Sequence, residues 1–205
     1  MGKVPPIGKF LNPHSGFWQN AESNPNADAA IKFSDVTSEY LKNEVRISFD
    51  ERLVPHIFAK NSEDLLFAYG YVSASLRLWQ MEFQTHAAAG RLSEILGADF
   101  KENGDNLVLH RDRFQRRMGV TWGAEKSLEL IKKDKETYQL LEAYSNGINR
   151  YVESLSPKDY PLEYKLLDYA PEKWAPIKTL LLAKQMSYIL TCLLYTSDAA
   201  DEWLR

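Results

Sequence analysis

The sequence predicts an α+β fold that is mainly helical and carries one short β-hairpin. Three long stretches place apolar side chains three or four residues apart, which is the spacing of a helix with one buried face. A shorter stretch alternates apolar and polar residues and leads through a turn into a second β-rich segment. We therefore expect helices packed beside a two-stranded hairpin over most of residues 45–190.

The hairpin is predicted between residues 45 and 58. Val45-Arg-Ile-Ser-Phe49 alternates apolar and polar side chains, Asp50-Glu-Arg-Leu53 supplies a turn, and Val54-Pro-His-Ile-Phe58 resumes the β-rich composition. Pro55 has no backbone N–H to donate. The second strand should therefore be an edge strand or be paired only beyond that residue.

The first long helix is predicted to begin at Asn61-Ser-Glu-Asp64 and to end at Gly90. The start resembles a capping box, and a glycine is the residue that most readily adopts the left-handed conformation at a helix end. One apolar stripe along this helix is expected to face the core. Its members are Leu65, Tyr69, Val72, Leu76, Trp79 and Phe83.

Two more long helices follow, with a shorter helical pattern over residues 124–131 before the first of them. A stripe begins near Lys133 and stops at Ser156-Pro157, where proline ends the helix. Residues 179–190 are apolar on most sides, which predicts a buried helix. The members of the stripe are Tyr138, Leu141, Ser145, Ile148, Val152 and Leu155.

Composition excludes several classes of function. The chain has 205 residues, a formal net charge of -3 and a pI near 5.9, so it has no field that would attract nucleic acid. It has no run of transmembrane length and no signal peptide, so a membrane is not an expected partner. Cys192 cannot form an internal disulfide, and the four histidines lie too far apart for metal-ligand spacing. No metal site is predicted.

No residue stands out as a catalyst. Gly-rich phosphate loops, CxxC pairs, HExxH and GxSxG are absent from the sequence. Asp105, Asp112 and the nearby arginines are interpreted as a solvated face of ion pairs rather than an anion site. The arginines are Arg111, Arg113, Arg116 and Arg117.

His56 and Arg77 are interpreted as structural residues. His56 lies between apolar residues with no nucleophile or carboxylate at a telling spacing, so we expect a hydrogen-bonded histidine rather than a general base. Arg77 lies on the first long helix beside a face committed to the core. We expect it to pair with Glu94 or with the carbonyls after Gly90.

Several blocks of sequence resemble the α-chain signature of the penicillin acylases, in matching order and spacing over roughly residues 45–190. The likeness therefore rests on independent segments rather than on a single motif. The blocks are Val54-Pro-His-Ile-Phe-Ala59, Ala68-Tyr-Gly-Tyr71, Arg77-Leu-Trp-Gln-Met-Glu82, Gly90-Arg-Leu-Ser-Glu-Ile95, Arg116-Arg-Met-Gly119, Ala143-Tyr-Ser-Asn-Gly-Ile-Asn149 and Pro171-Glu-Lys-Trp-Ala-Pro176.

The resemblance implies the α-chain part of an N-terminal-nucleophile hydrolase, whose whole fold is a four-layer αββα sandwich. In that family a precursor cleaves itself, and the new N-terminal serine of the β chain attacks an amide with its own α-amino group as the base. The β chain is thus the implied partner and an N-acyl amide the implied substrate. This chain would supply no catalytic residue and would be inactive alone. The family also implies export or a periplasmic location and a structural calcium ion in the whole enzyme, with no cofactor in this part.

The resemblance also implies two substrate-binding residues, Met186 and Leu190, on the last helix. That helix matches the segment that lines the acyl-group pocket in the family, with a one-residue gap in the alignment. An equally open interpretation is that both residues simply face the core. Ile189 replaces a polar residue that the family often uses there, so the acyl-group preference is left open.

The predicted organisation is an extended N-terminal arm over residues 1–44, an acylase-like region over residues 45–191, and a foreign tail. Residues 192–205 resemble a translated sequencing adaptor, which we interpret as an assembly artefact that ends the chain early. Two other functions remain open. One is an acyl-homoserine-lactone or cephalosporin-type acylase, and the other is a helical interaction module without catalysis.

Overall fold

The computed structural model describes residues 39–99 and 106–190, and in these residues it forms a mainly helical structure with one hairpin. The predicted arm up to residue 38, Asp105 and the tail over residues 192–205 lie outside the described residues. The elements are β1 (Arg46–Phe49), β2 (Pro55–Phe58), α1 (Ser62–Ala89), α2 (Leu92–Leu96), α3 (Leu107–Arg117), α4 (Val120–Ile131), α5 (Lys135–Ser154), a 3₁₀ turn (Pro157–Asp159), α6 (Leu162–Leu167) and α7 (Pro176–Leu190).

The predicted hairpin is confirmed. β1 and β2 are antiparallel, with Ile47 opposite Ile57 and Phe49 opposite Pro55 at the turn end of the ladder. The carboxylate of Asp50 accepts hydrogen bonds from two backbone N–H groups of the turn, those of Arg52 and Val54. A short aspartate side chain satisfies turn donors in this way, which is why the residue favours turns.

Both predicted ends of α1 are confirmed. The side chain of Asn61 accepts a hydrogen bond from the Asp64 N–H at 2.8 Å, which satisfies one of the free donors of the first turn. At the other end Gly90 adopts a left-handed φ of 66°, and the Arg91 N–H bonds back to the carbonyl of His86. A side chain at Gly90 would be strained in that conformation.

The predicted buried stripe of α1 is wrong for half of its members. Leu65, Tyr69 and Leu76 are exposed, with 39%, 53% and 50% of their surface accessible. The helix instead buries the side that carries Phe67, Gly70 and Ala74. Small residues let the backbones of two helices approach closely, and this close contact outcompetes the stripe of larger side chains.

The side of α1 that is buried lies against α5, where two glycines allow the helices to touch. A Cβ atom on Gly70 would lie 2.2 Å from the carbonyl oxygen of Tyr144. A Cβ atom on Gly147 would lie 1.9 Å from the carbonyl oxygen of Phe67. Neither distance is compatible with a side chain. The α1–α5 contact therefore depends on glycine on both helices.

The main hydrophobic core forms where α1 and α5 meet the segment after residue 160. The stripe predicted for α5 is confirmed, since Ser145 and Ile148 are buried and its other members are partly buried. The core is closed from the far side by a tyrosine of α6 and a tryptophan that precedes α7. Its fully buried members are Ala74, Leu78, Ile148, Tyr164 and Trp174.

The prediction that α7 is buried on most sides is wrong for its last turns. Leu181 packs between α1 and α4 and is 6% exposed, but Met186 and Leu190 are 59% and 72% exposed. One side of α7 faces the other helices, and the opposite side does not. No helix in the described parts of the chain is both long and apolar enough to cross a membrane.

Replacing Gly147 by alanine should destabilise the protein. The new methyl group would meet the Phe67 carbonyl and force α1 and α5 apart, which should lower the free energy of unfolding by about 2 kcal/mol or more. The matched control is Gly123→Ala on α4, where the nearest atom to an added Cβ is the end of Lys184 at 3.9 Å. There alanine should stabilise by up to about 1 kcal/mol through helix propensity. Urea denaturation followed by circular dichroism measures both, and equal effects would contradict the close contact.

Candidate functional site

The two substrate-binding residues implied by the resemblance lie on one side of α7, a single helical turn apart. Met186 and Leu190 are both largely exposed, and Ile189 beside them is 52% exposed. Within the described residues they do not face the core, which was the other interpretation. Their assignment to a substrate pocket stays a prediction.

The most distinctive polar feature of the described residues is a partly buried cluster of charges between α1 and the segment that leads into α7. Glu82 and His86 lie one turn apart on α1 and are 0% and 2% exposed. Glu172 reaches them from the proline-bounded segment over residues 171–176, and Lys178 follows on α7. The cluster thus joins residues that lie about 90 positions apart in the chain.

Glu82 is held by two donors. The hydroxyl of Tyr164 donates to one carboxylate oxygen at 2.6 Å, and the backbone N–H of Glu172 donates at 3.2 Å. Burial raises the pKa of Glu82, and these hydrogen bonds counteract part of that rise. The pKa of the Tyr164 hydroxyl is raised as well, first by burial and then by the negative charge of Glu82.

Glu172 carries most of the ion pairs of the cluster. Arg91 lies 2.8 Å and Lys178 2.9 Å from its carboxylate oxygens, and the Nε2 atom of His86 lies 3.5 Å away. Burial alone would raise the pKa of Glu172, but the bonds from Arg91 and Lys178 outweigh it and lower the pKa to about 2. Glu172 is therefore a carboxylate at neutral pH.

Glu82, His86 and Glu172 form a group that could hold a metal ion, which the sequence analysis did not predict. Each offers one ligand atom, and these atoms lie within 4.8 Å of one another. Both oxygens of Glu172, however, already face the cations Arg91 and Lys178. A metal ion would have to displace them. The donor set therefore favours a network of ion pairs over a metal centre.

The spacing of Glu82 and His86 on one helix was the only signal of this cluster in the sequence. Glu172 could not be placed beside them, because its position depends on how the segment after α6 folds back over α1. Asn149 of α5 fixes that return. Its side chain accepts the Trp174 N–H at 2.7 Å and donates to the Trp174 carbonyl at 2.9 Å, so both polar groups of a buried backbone are satisfied.

The expectation that Arg77 pairs with Glu94 or with the carbonyls after Gly90 is wrong. Arg91 pairs with Glu94 instead. Arg77 is exposed and donates to Gln80 of its own helix at 3.2 Å, at a bend where its φ is -147°. Arg91 instead pairs with Glu94 at 2.6 Å as well as with Glu172. Arg91 comes directly after the left-handed turn at Gly90, which directs the chain back toward the cluster.

The interpretation of Asp112 as part of a solvated face is also wrong. Asp112 is 4% exposed and accepts hydrogen bonds from the backbone N–H groups of Leu92 and Ser93. These are free donors at the start of α2, and a carboxylate at a helix N-terminus is favourable. Arg116 donates to the carbonyl of Gly90 at 2.8 Å. All four arginines of the run, Arg111, Arg113, Arg116 and Arg117, are exposed as expected.

His56 lies on the exposed side of the hairpin. Its Nε2 atom is 3.6 Å from the Asp50 carboxylate across the turn, and its side chain is 52% exposed. Asp50 is also bonded to the backbone of the turn. This arrangement agrees with a structural histidine.

The segments that carry the family resemblance supply the contacts described above. Gly70 and Gly147 lie at the α1–α5 contact, Glu82 is buried in the charge cluster, Gly90 ends α1, and Trp174 is fixed by α5. These motifs therefore specify a scaffold. Ser93 of one motif donates its hydroxyl to the Asp112 carboxylate at 2.6 Å, but that carboxylate is fixed by the backbone N–H groups of Leu92 and Ser93, so we interpret the pair as structural.

A model of the penicillin amidase family matches residues 44–204. The chain belongs to the penicillin amidase family. It is 34% identical over 146 residues to penicillin acylase 2 proenzyme of Pseudomonas sp. (strain SE83), a match that covers 71% of this chain and 17% of that protein. It is 26% identical over 142 residues to penicillin G acylase of Escherichia coli, covering 68% and 16%.

The chain is also similar to proteins whose printed names give a different activity. The acyl-homoserine lactone acylase QuiP of Pseudomonas fluorescens (strain Pf0-1) is 31% identical over 149 residues, which cover 72% of this chain and 16% of that protein. Among solved structures, the thermostable penicillin G acylase from Alcaligenes faecalis aligns with a TM-score of 0.63 and 25% identity. That alignment covers 76% of this chain and 80% of the compared chain. The matched region thus spans about a sixth of the curated relatives' length.

Loss of the Glu172 charge should lower the free energy of unfolding of this penicillin amidase family member by an amount that depends on pH. The pKa of Glu172 is about 2 in the folded chain and 4.5 without the fold, so its carboxylate stabilises the fold above about pH 4.5. That contribution is lost as the pH falls toward 2. The difference in unfolding free energy between the wild type and Glu172→Gln should therefore be largest near neutrality and shrink through this range.

Urea titrations at a series of pH values measure this difference, and added salt should reduce it because Glu172 is 37% exposed. Glu129→Gln on α4 is the control for the loss of one surface carboxylate from an ion pair, here with Lys126. A Glu172→Gln effect that is independent of pH would show that packing rather than charge stabilises the segment.

Proposed function

We propose that the chain is the α-chain part of an amidohydrolase that cleaves the linear amide bond of an N-acyl compound. The supporting observation is that the residues of the acylase-like motifs build a scaffold. The motif residues described above have structural roles in the glycine contact between α1 and α5, in the charge cluster or in the helix caps. The reacting groups are therefore expected from the rest of a longer protein, and this chain alone should not hydrolyse amides.

In this proposal the nucleophile is the N-terminal serine of a second chain that is released from the same precursor. A free α-amino group titrates close to neutrality and can take the proton of its own hydroxyl as that oxygen attacks the amide carbon. Backbone and amide donors then stabilise the tetrahedral oxyanion. The name of one relative, a proenzyme, is in keeping with such processing.

Met186 and Leu190 would contribute an apolar wall to the acyl-group pocket. They lie on one side of α7, and their exposure leaves that side accessible to the remainder of the enzyme or to a ligand. The charge cluster holds the start of α7 through Lys178, so the position of this wall depends on the scaffold. Ile189 adds a further apolar side chain, which favours an uncharged acyl group.

An acyl-homoserine-lactone acylase is the second candidate. It is favoured by the relatives with that name, one of which matches this chain over 149 residues, compared with 146 and 142 for the two penicillin acylases. A β-lactam side chain and an acyl-homoserine lactone present the same amide bond with different acyl and amine groups. A scaffold that is shared between the two classes does not distinguish them. A cephalosporin-type acylase is a candidate for the same reason, since it would share this scaffold.

The proposal is tested by measuring the turnover of a chromogenic phenylacetyl amide and of an N-acyl homoserine lactone. The chain alone should turn over neither, whereas the complete natural protein, expressed from the uninterrupted reading frame, should hydrolyse at least one. Turnover by the chain alone would contradict the assignment of the nucleophile. A folded complete protein that cleaves neither substrate would favour the non-catalytic interaction module.

The role of Met186 is tested in the complete protein by changing it to alanine. Removing the side chain should change the ratio of kcat/KM for short and long acyl groups by about tenfold, since the loss of buried apolar contact is worth about 1–3 kcal/mol. Trp122→Ala on α4, which is 66% exposed, is the matched control and should leave the ratio unchanged. If both variants behave alike, Met186 does not line the pocket.

A further inference from the structure

Lys178 lies at a position in α7 that is unfavourable for a cation. It is the third residue of the helix, which begins at Pro176, and it is 8% exposed. The first turn of a helix carries partial positive charge, so it stabilises carboxylates rather than ammonium groups. Burial adds the cost of removing an ammonium group from water. Lys178 therefore opposes the local stability of the helix for two reasons.

Glu172 balances this cation within the described residues. The Nζ atom of Lys178 lies 2.9 Å from one carboxylate oxygen of Glu172 and 5.7 Å from the centre of the Trp174 ring. Glu172 has other partners, because Arg91 lies 2.8 Å from its other oxygen and 37% of its side chain is exposed. The dependence is therefore one-sided. Lys178 needs Glu172, whereas Glu172 keeps a cation and solvent without Lys178.

The pair between Lys178 and Glu172 is not well explained by stability. The Coulomb energy of a buried ion pair is offset by desolvation, and apolar residues of similar volume often stabilise a fold as well or better. Residues that break local rules without a gain in stability are expected at functional sites. Lys178 is therefore better explained by what it holds in place.

The element that Lys178 holds in place is α7. The fully buried residues of this helix are Lys178, Leu181 and Gln185, of which only Leu181 is apolar. Apolar contact has no preferred direction and permits small shifts, whereas an ion pair at 2.9 Å fixes two groups against each other. Glu172 is itself bonded through its backbone N–H to the Glu82 carboxylate of α1. The pair thus links the first turn of α7 to α1.

We propose that Lys178 is a positioning residue, which sets the placement of α7 and with it the placement of Met186 in the acyl-group pocket. Met186 lies about 12 Å further along the helix axis and is 59% exposed. A helix transmits a shift of its first turn along its length, and a displacement of about 1 Å at a binding site changes rates measurably. This inference rests on the proposed function, because it assumes that Met186 contacts the acyl group.

Lys178→Met in the complete protein tests the proposal, since methionine has a similar length and no charge. The urea midpoint of unfolding should stay the same or rise. The ratio of kcat/KM for short and long acyl groups should nevertheless change by at least about threefold. Lys178→Arg keeps the charge and should keep the ratio within about twofold of the wild type. Lys126→Met on α4, which also removes a lysine from an ion pair, is the control and should change neither quantity.

A double-mutant cycle shows whether Lys178 acts through Met186. In a Met186→Ala background, Lys178→Met should have little further effect on the ratio, because the side chain that it displaces is gone. Additive effects would overturn the proposal. A lower urea midpoint with an unchanged ratio would also overturn it, since that is the result for a residue that only stabilises the fold. Equal changes in the ratio for Lys178→Arg and Lys178→Met would do the same.

A distance measurement separates this inference from the proposed function. Spin labels at Glu142→Cys on α5 and Lys184→Cys on α7, both exposed positions, report the placement of α7 whether or not the complete protein is active. In a background without other cysteines, Lys178→Met should shift or broaden the distribution of distances between the labels. If the protein hydrolyses amides and neither the distances nor the ratio changes, the positioning role is overturned and the function stands. If the distances shift in a protein that cleaves no amide, the positioning of α7 is supported and the function is contradicted.

Discussion

The close contact between α1 and α5 determines how the described residues are arranged. Gly70 and Gly147 each bring a backbone against the carbonyl of the other helix, at a distance that no side chain tolerates. Once the helices meet at this contact, the side of α1 that faces inward is fixed, and Ala74, Leu78 and Ile148 close the core beside it. The same constraint turns Leu65, Tyr69 and Leu76 outward. The core and the exposure of these three side chains are thus two consequences of one contact.

The second determinant is polar and controls where α7 lies. The segment after α6 crosses α1 and α5, and its backbone would be left without partners if Glu82 and Asn149 did not accept its N–H groups. Glu172 then pairs with Arg91 at the end of α1 and with Lys178 at the start of α7. The buried part of this network costs desolvation energy. Its bonds join α1, the returning segment and α7 in one arrangement. In an acylase that arrangement would set the position of Met186.

Much of the local structure could be predicted from the sequence, because its signals are local. Asn61 and Gly90 define the ends of α1 through capping, and the alternation around Asp50 defines the hairpin. The side of α1 that is buried could not be predicted, since hydrophobic periodicity favours large side chains and the real contact uses small ones. The cluster around Glu172 was missed for another reason. It depends on residues far apart in the chain, and neither spacing nor composition brings them together.

We propose that this member of the penicillin amidase family provides a scaffold and that the reacting group lies on a second chain. Mass spectrometry of the complete purified protein tests this directly by identifying its chains and their N-termini. The account predicts two chains that copurify, one containing residues 44–190 and the other beginning with serine. A single uncleaved chain that hydrolyses N-acyl amides, or a second chain that begins with a residue unable to act as a nucleophile, would contradict it.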